Sequence, residues 1–400
     1  MCSATTAEYC EQNKGLSIGN VSIASLAFVD DIADLSTTFE DAVTSHQNAL
    51  SFAKRKKLQL APEKCYIMLL QTKNKQRNVP ELAIGDGIVK EVNSIVYLGD
   101  VFNSKGNNDD LMADRVKRGT TAMISIQGFM RDTSLGKHTL SVYTLLHNAI
   151  LLPCMTFNSQ AWSNLTEKNI AALTTVQLRY LKKALSVRQA AANAFTFLEL
   201  GILPIKYEVH KRQLGFLHHI VSLTDNDPVK KVWQHQTTLP EHNNWWSYVR
   251  RLLETYSIED NMTAVANMSR ETYKEKVKKA IRDRALADLV KENGTKTRTK
   301  NITFDKLEMQ EYIKHMEPSE AKIIFKCRSK TLQIKDHMKY KYSDMSCRWC
   351  GVAEETLEHV TNCGKDQSIN DIEKSLTQMD LKEMKEIALR VKEFLAKVEV

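Results

Sequence analysis

Glycine and proline are scarce, 14 and 7 in a chain of 400 residues. A collagen-like repeat or a many-turned β-sandwich would need far more of both, which leaves an α+β chain that is mainly α-helical. Long apolar runs are also missing. The most apolar stretch, Ala149 to Phe157, is interrupted by Pro153 and falls well short of the ~20 residues that a membrane-spanning helix requires. Met1 to Asn13 carries Glu8 and Glu11 and lacks the basic-then-apolar order of a secretory leader. The expected setting is reducing and intracellular, nuclear or cytoplasmic, where eight cysteines imply no disulfide framework.

With 42% hydrophobic and 26% charged residues, wholesale disorder is excluded, and 400 residues suggest two or three domains. The net charge of +8 is unevenly spread. Arg270 to Lys300 holds eleven Lys/Arg against five Asp/Glu, and Lys322 to Lys341 holds seven against Asp336 alone. Two such windows favour a polyanion partner over an acidic small molecule, the alternative being solvated helix faces.

Strand and helix signals alternate over the first hundred residues. Val21 to Phe28 reads as a strand and Ile32 to Leu35 resumes its apolar character, so Asp30 and Asp31 sit at the bend of a hairpin. Thr37-x-x-Glu40 has the form of a capping box opening a helix through about Lys56, and Tyr66 to Leu70 and Ile95 to Phe102 read as two further strands. Helices are expected over Leu140 to Leu152, closed by Pro153, then from Thr166, over Pro204 to Leu223 and over Arg270 to Lys291. A last helix opens at Asp380, with Leu381, Met384, Ala388, Val391 and Leu395 as a docking stripe. Thr224 to Trp246, with Pro228 and Pro240, looks like an interdomain connection. His218 and His219 point about 100° apart on a helix and are expected at the surface, not on one metal.

Two local patterns carry chemistry. Phe28-Val29-Asp30-Asp31 puts two carboxylates at a hairpin tip, where hard oxygen ligands suit Mg²⁺ and phosphoryl transfer, although turns favour Asp for purely local reasons. Cys347-x2-Cys350-x8-His359-x3-Cys363 places two thiolates on a tight knuckle and a His and a Cys one helical turn apart. Such a set can close a tetrahedron around Zn²⁺. Trp349, between the first two ligands, either stacks on a base or packs against the final helix. Arg282 and Arg284 on the basic helix, and Lys335 ahead of the cysteines, are the cations expected to meet phosphates.

Taken in order, the Asp-Asp hairpin, the helix ending Lys54-Arg55-Lys56-Lys57, the segment from Leu58 to Cys65, and Val96-Tyr97-Leu98-Gly99 resemble the second half of the palm in reverse transcriptases of non-LTR retrotransposons. Asn158 to Trp162, Leu198 to Pro204 and the Cys-Cys-His-Cys group extend that resemblance to about Cys363. It implies a partial palm over 1–118, a helical thumb over 119–223, a basic helical connector over 224–303, a zinc module over 304–365 and a C-terminal helix over 366–400. By the same resemblance Asp30 is a metal-binding carboxylate with Asp31 beside it, and Lys64 lies near the incoming nucleotide. Tyr97, Leu98 and Gly99 form a primer grip, and the partners are element RNA and primed target DNA. The family's palm also has an aspartate on an earlier strand, preceded by fingers, and neither fits into the 27 residues before Phe28. The implied function is that of a reverse-transcriptase part that binds primer-template without catalysis of its own. A non-catalytic nucleic-acid-binding zinc protein and a vestigial interaction protein are the alternatives.

Overall fold

Short strands interrupted by turns give this chain small sheets, and its long amphipathic segments give helices, so the fold is mainly helical with two-stranded sheets, four antiparallel and one parallel among the described residues. A computed structural model describes Tyr9 and residues 15–70, 81–133, 140–188, 190–240 and 244–398. The leader reading over Met1 to Asn13, Tyr9 apart, and Cys2 and Cys10 fall outside these. The described residues group into two compact units. One draws on Met1–Asp114, Asn158–Asn169 and Arg212–Lys274, and the other on Arg115–Phe157, Ile170–Lys211 and Glu275–Val400. The stretch 224–303 thus contributes to both. Among the described residues no helix is long and apolar enough to cross a membrane.

In the first unit the single strand expected over Val21 to Phe28 is broken at Ala24, a nearly buried residue whose carbonyl accepts from Leu35 N at 2.7 Å. Two hairpins result, Leu16–Ile18 with Val21–Ile23 and Ser25–Phe28 with Asp31–Asp34. The next helix, Phe39–Lys56, is capped by Thr38 and not Thr37. The Thr38 hydroxyl accepts from Asp41 N, one residue later than the Thr37/Glu40 spacing suggested. Ile95 to Phe102 is likewise not one strand. It folds into the hairpin Ser94–Tyr97 with Asp100–Asn103, turning at Leu98 (φ 47°) and Gly99 (φ 83°), and two positive φ values are what a tight type I′ turn requires. Leu82, Ile84 and Val89 form a small core with Val43, Leu50, Leu60, Cys65 and Ile67.

The stretch read as an interdomain connection contains the helix Pro228–Thr238. Pro228 occupies its first turn, where a missing N–H costs nothing, and Asp227 caps it through Val229 N. Trp233 and Trp246 pack edge to face, and Trp245 donates to Gln160 O at 2.9 Å. His218 is buried and not on the surface, because its ring stacks on Tyr273 at 5.0 Å and its Nε2 meets Met268 O at 2.9 Å.

In the second unit Pro153 does not close its helix. Ser141–Leu146 passes through one π-helical turn, His147–Leu151, into Leu152–Thr156. Proline has no N–H to give Ala149 O, and the wider turn absorbs that missing bond. The Leu381–Val398 helix buries Met384, Ile387, Ala388, Val391 and Phe394 against the helices Pro318–Arg328 and Leu357–Asn362. Leu381 and Leu395 lie at the margin of that face. Deep in this unit Glu199 is fully buried and accepts from Tyr312 Oη and from Arg328 Nε and Nη2, while Arg328 Nη1 donates to Leu376 O.

Candidate metal centre and paired hairpins

Cys347 and Cys350 lie on a narrow loop held by Cys347 N donating to Ala353 O at 2.7 Å and Gly351 N donating to Cys347 O at 2.8 Å. Gly351 supplies the left-handed φ of 70° that the loop needs, at no steric cost. His359 sits in the first turn of the Leu357–Asn362 helix, which Thr356 caps, and Cys363 follows the last turn. These elements gather four ligand atoms within 4.8 Å of one another. Cys347 Sγ and Cys363 Sγ are 3.9 Å apart, and Cys350 Sγ and His359 Nε2 are 3.3 Å apart. A tetrahedral site with Zn–S of ~2.3 Å and Zn–N of ~2.0–2.1 Å has edges of ~3.6–3.8 Å, so the group can hold a metal ion such as zinc.

The thiols are not equivalent. The N–H groups of Ala353 and Val352 point at Cys350 Sγ and hold its pKa down to about 6, favouring the thiolate that a metal needs. Burial and the neighbouring thiols push Cys363 the other way. Around the ligands, the fully buried Glu355 accepts from Arg348 N, Nε and Nη2 and from Lys335 N. Burial works to raise its pKa, but these donors outweigh that and keep it below the usual carboxylate range. No spacing rule singled out Glu355, since its partners Arg348 and Lys335 lie 7 and 20 residues away.

Phe28 pairs with Asp31, so Val29 and Asp30 form the two-residue tip of the first-unit hairpin. Only Val29 has positive φ, 58°, the sign pattern of a type II′ turn. Glycine is normal at that position, and a β-branched residue there is a genuine outlier. Asp30 and Asp31 are both exposed. Asp34 is committed to Tyr9 Oη and Ser25 Oγ. Among the described residues no third carboxylate, His or Cys joins Asp30 and Asp31 in a metal-holding group. Tyr97 Oη donates to Leu26 O at 3.1 Å, which brings the Tyr97-Leu98-Gly99 hairpin onto the strand that carries the Asp-Asp tip. Lys64 ends the short 3-10 turn Pro62–Lys64 with its side chain exposed.

The expected phosphate-contacting cations are all engaged within the chain. Arg282 donates to Leu307 O, Arg284 pairs with Asp288 at 3.1 Å, and Lys335, only 7% exposed, donates to Asp344 Oδ2 and Ser346 O. Trp349 packs on Phe394 of the final helix with ring centroids 6.0 Å apart, and Lys397 Nζ lies 3.7 Å from its ring. The indole thus packs against the final helix, the second of the two contacts expected of it. No family model matches the chain, and no curated protein matches it.

Proposed function

We propose that this chain is the palm-to-zinc part of a reverse transcriptase of the non-LTR retrotransposon type, that it binds primed RNA and DNA, and that Zn²⁺ is the ion at Cys347, Cys350, His359 and Cys363. The observation that carries the reading is the Tyr97–Leu26 bond, which joins a Tyr-Leu-Gly turn to the hairpin that carries Asp30, 67 residues earlier in sequence, and Asp31, as a primer grip beside a catalytic hairpin requires. The positive φ of Val29 supports it. Holding a β-branched residue there costs on the order of 1–3 kcal/mol, and such strain clusters at functional sites.

Nucleotide transfer by this chain alone is not part of the proposal. Two Mg²⁺ ions would stabilise the attacking and leaving oxygens of such a transfer, but they need more carboxylates than one hairpin tip displays. Asp30 and Asp31 fit a contribution to that site and not the whole of it. What the chain does by itself is hold nucleic acid. The test is binding of a fluorescent primed RNA–DNA hybrid across a salt series. The logarithm of affinity should fall linearly with the logarithm of salt, by ~0.7–0.9 per neutralised phosphate. Absence of binding at low salt would refute the reading.

A further inference from the structure

Two open cavities of the second unit have linings that differ in kind. One, between Glu275–Leu286 and Asp305–Glu308, balances Lys278, Lys279, Arg282 and Lys306 with Glu275, Asp283, Asp305 and Glu308, with Lys278 paired to Glu275 and Arg282 donating to Leu307 O. The other, of about 430 Å³, has a single acid, Glu292, beside Lys296, Arg298, Asn193, five hydroxyl-bearing residues that include Thr297, and the three alanines Ala190 to Ala192.

The hydroxyls of Thr295, Ser329 and Thr331 are engaged within the chain, but other donors of this cavity are available in a way that the expected phosphate-contacting cations are not. Lys296 and Thr297 are exposed, and among the described residues neither side chain has a hydrogen bond or ion pair. Arg298 spends one donor of its five on His337 O, which fixes the guanidinium without neutralising it. Lys182, nearly fully buried, donates to Asn193 Oδ1 at 2.7 Å, so the Asn193 amide keeps its Nδ2 hydrogens for another acceptor. Two cations, a free hydroxyl and an amide donor beside one acid, with no aromatic side chain in the lining and only Ala190 to Ala192 as its apolar part, match a tetrahedral oxyanion.

We propose that this cavity seats a backbone phosphate of bound RNA or DNA, with Lys296 as the point charge, Arg298 as the oriented donor and Thr297 as a neutral donor. The inference rests on the nucleic-acid reading above and locates one contact of it. It replaces a diffuse basic face by one defined seat.

The test uses the full chain and a fluorescein-labelled 20-nucleotide single-stranded RNA in a salt series. Lys296→Ala should make the log–log salt slope shallower by about 0.7, one single-strand phosphate's worth. Thr297→Val should weaken binding about 2- to 10-fold with the slope unchanged, because it removes a hydrogen bond and no charge. Lys300→Ala, in the same basic window but outside the cavity, should do less than Lys296→Ala. If Thr297→Val binds like the parent and the two lysine variants are equivalent, the seat is overturned and only a general positive field remains. If the parent chain itself does not bind RNA at low salt, the nucleic-acid reading fails, and this inference fails with it.

Discussion

Removing the metal gives a quantitative check on the Cys347 to Cys363 module. Its elements are too small to stand alone. The Leu357–Asn362 helix has six residues, far below the ~12–15 at which isolated helices become even marginal, and the loop before it has no helix or strand ladder of its own, only a few backbone bonds and the Glu355 contacts. The bound ion should therefore supply much of the local folding free energy. An ion at a thousandfold excess over its Kd stabilises the folded form by about 4 kcal/mol. For a cooperative unit of roughly 150–250 residues, at ~2–4 °C per kcal/mol, that is a loss of about 8–16 °C in melting temperature on chelation. The assay is elemental analysis of protein purified without chelator, followed by melting with and without EDTA and with zinc restored. His359→Ala should melt like the chelated parent and gain little from added zinc. Fewer than half an equivalent of zinc per chain, or a melting temperature that chelation leaves unchanged, would refute the reasoning.

Further outcomes follow from the buried polar groups and the hairpin tip. Glu199→Gln should cost about 3–5 kcal/mol in denaturant unfolding, because it strands the Arg328 cation, whose side chain is 1% exposed; replacing Glu199 and Arg328 together by apolar residues should cost much less. His337, whose Nδ1 accepts from Leu332 N, is held neutral by burial with a pKa down to about 4. Its folded pKa lies below the unfolded 6.5, so stability is full above pH 6.5 and falls by about 1.4 kcal/mol per unit as pH drops towards 4. His337→Asn, which keeps the acceptor without the titration, should flatten that part of the unfolding free energy against pH. Purified chain with Mg²⁺ and a primed RNA template should incorporate no nucleotide above background; incorporation that Asp30→Ala abolishes would show that a further ligand completes the site.

What the sequence made legible follows the range of the forces involved. The Cys-Cys-His-Cys group that can hold a metal was readable because two short spacings fix its local geometry, and the Thr166 and Asp380 caps because a cap acts within three residues. Pro153 and Pro228 were misread as breaks. A proline's effect depends on whether the helix can widen around it or start at it, and the flanking packing settles which. The contacts of Lys335, and which of the two alternatives Trp349 displays, were not legible for a different reason. An ammonium ahead of a metal loop looks free until Asp344 and Ser346 are folded against it, and Phe394 lies 45 residues beyond the indole it packs on.

The most direct measurement of the central claim places the primer end on the protein. A primed RNA template carrying a photoreactive group on the 3′-terminal nucleotide of the primer, irradiated with the full chain and digested, should yield adducts in peptides containing Phe28 to Asp31 and Tyr97 to Gly99, the two hairpins that Tyr97 Oη joins at Leu26 O. Tyr97→Phe should reduce the yield at the Asp-Asp hairpin while leaving overall binding close to that of the parent. Adducts confined to the basic windows or to the Cys347 to Cys363 module, with none on either hairpin, would contradict the account.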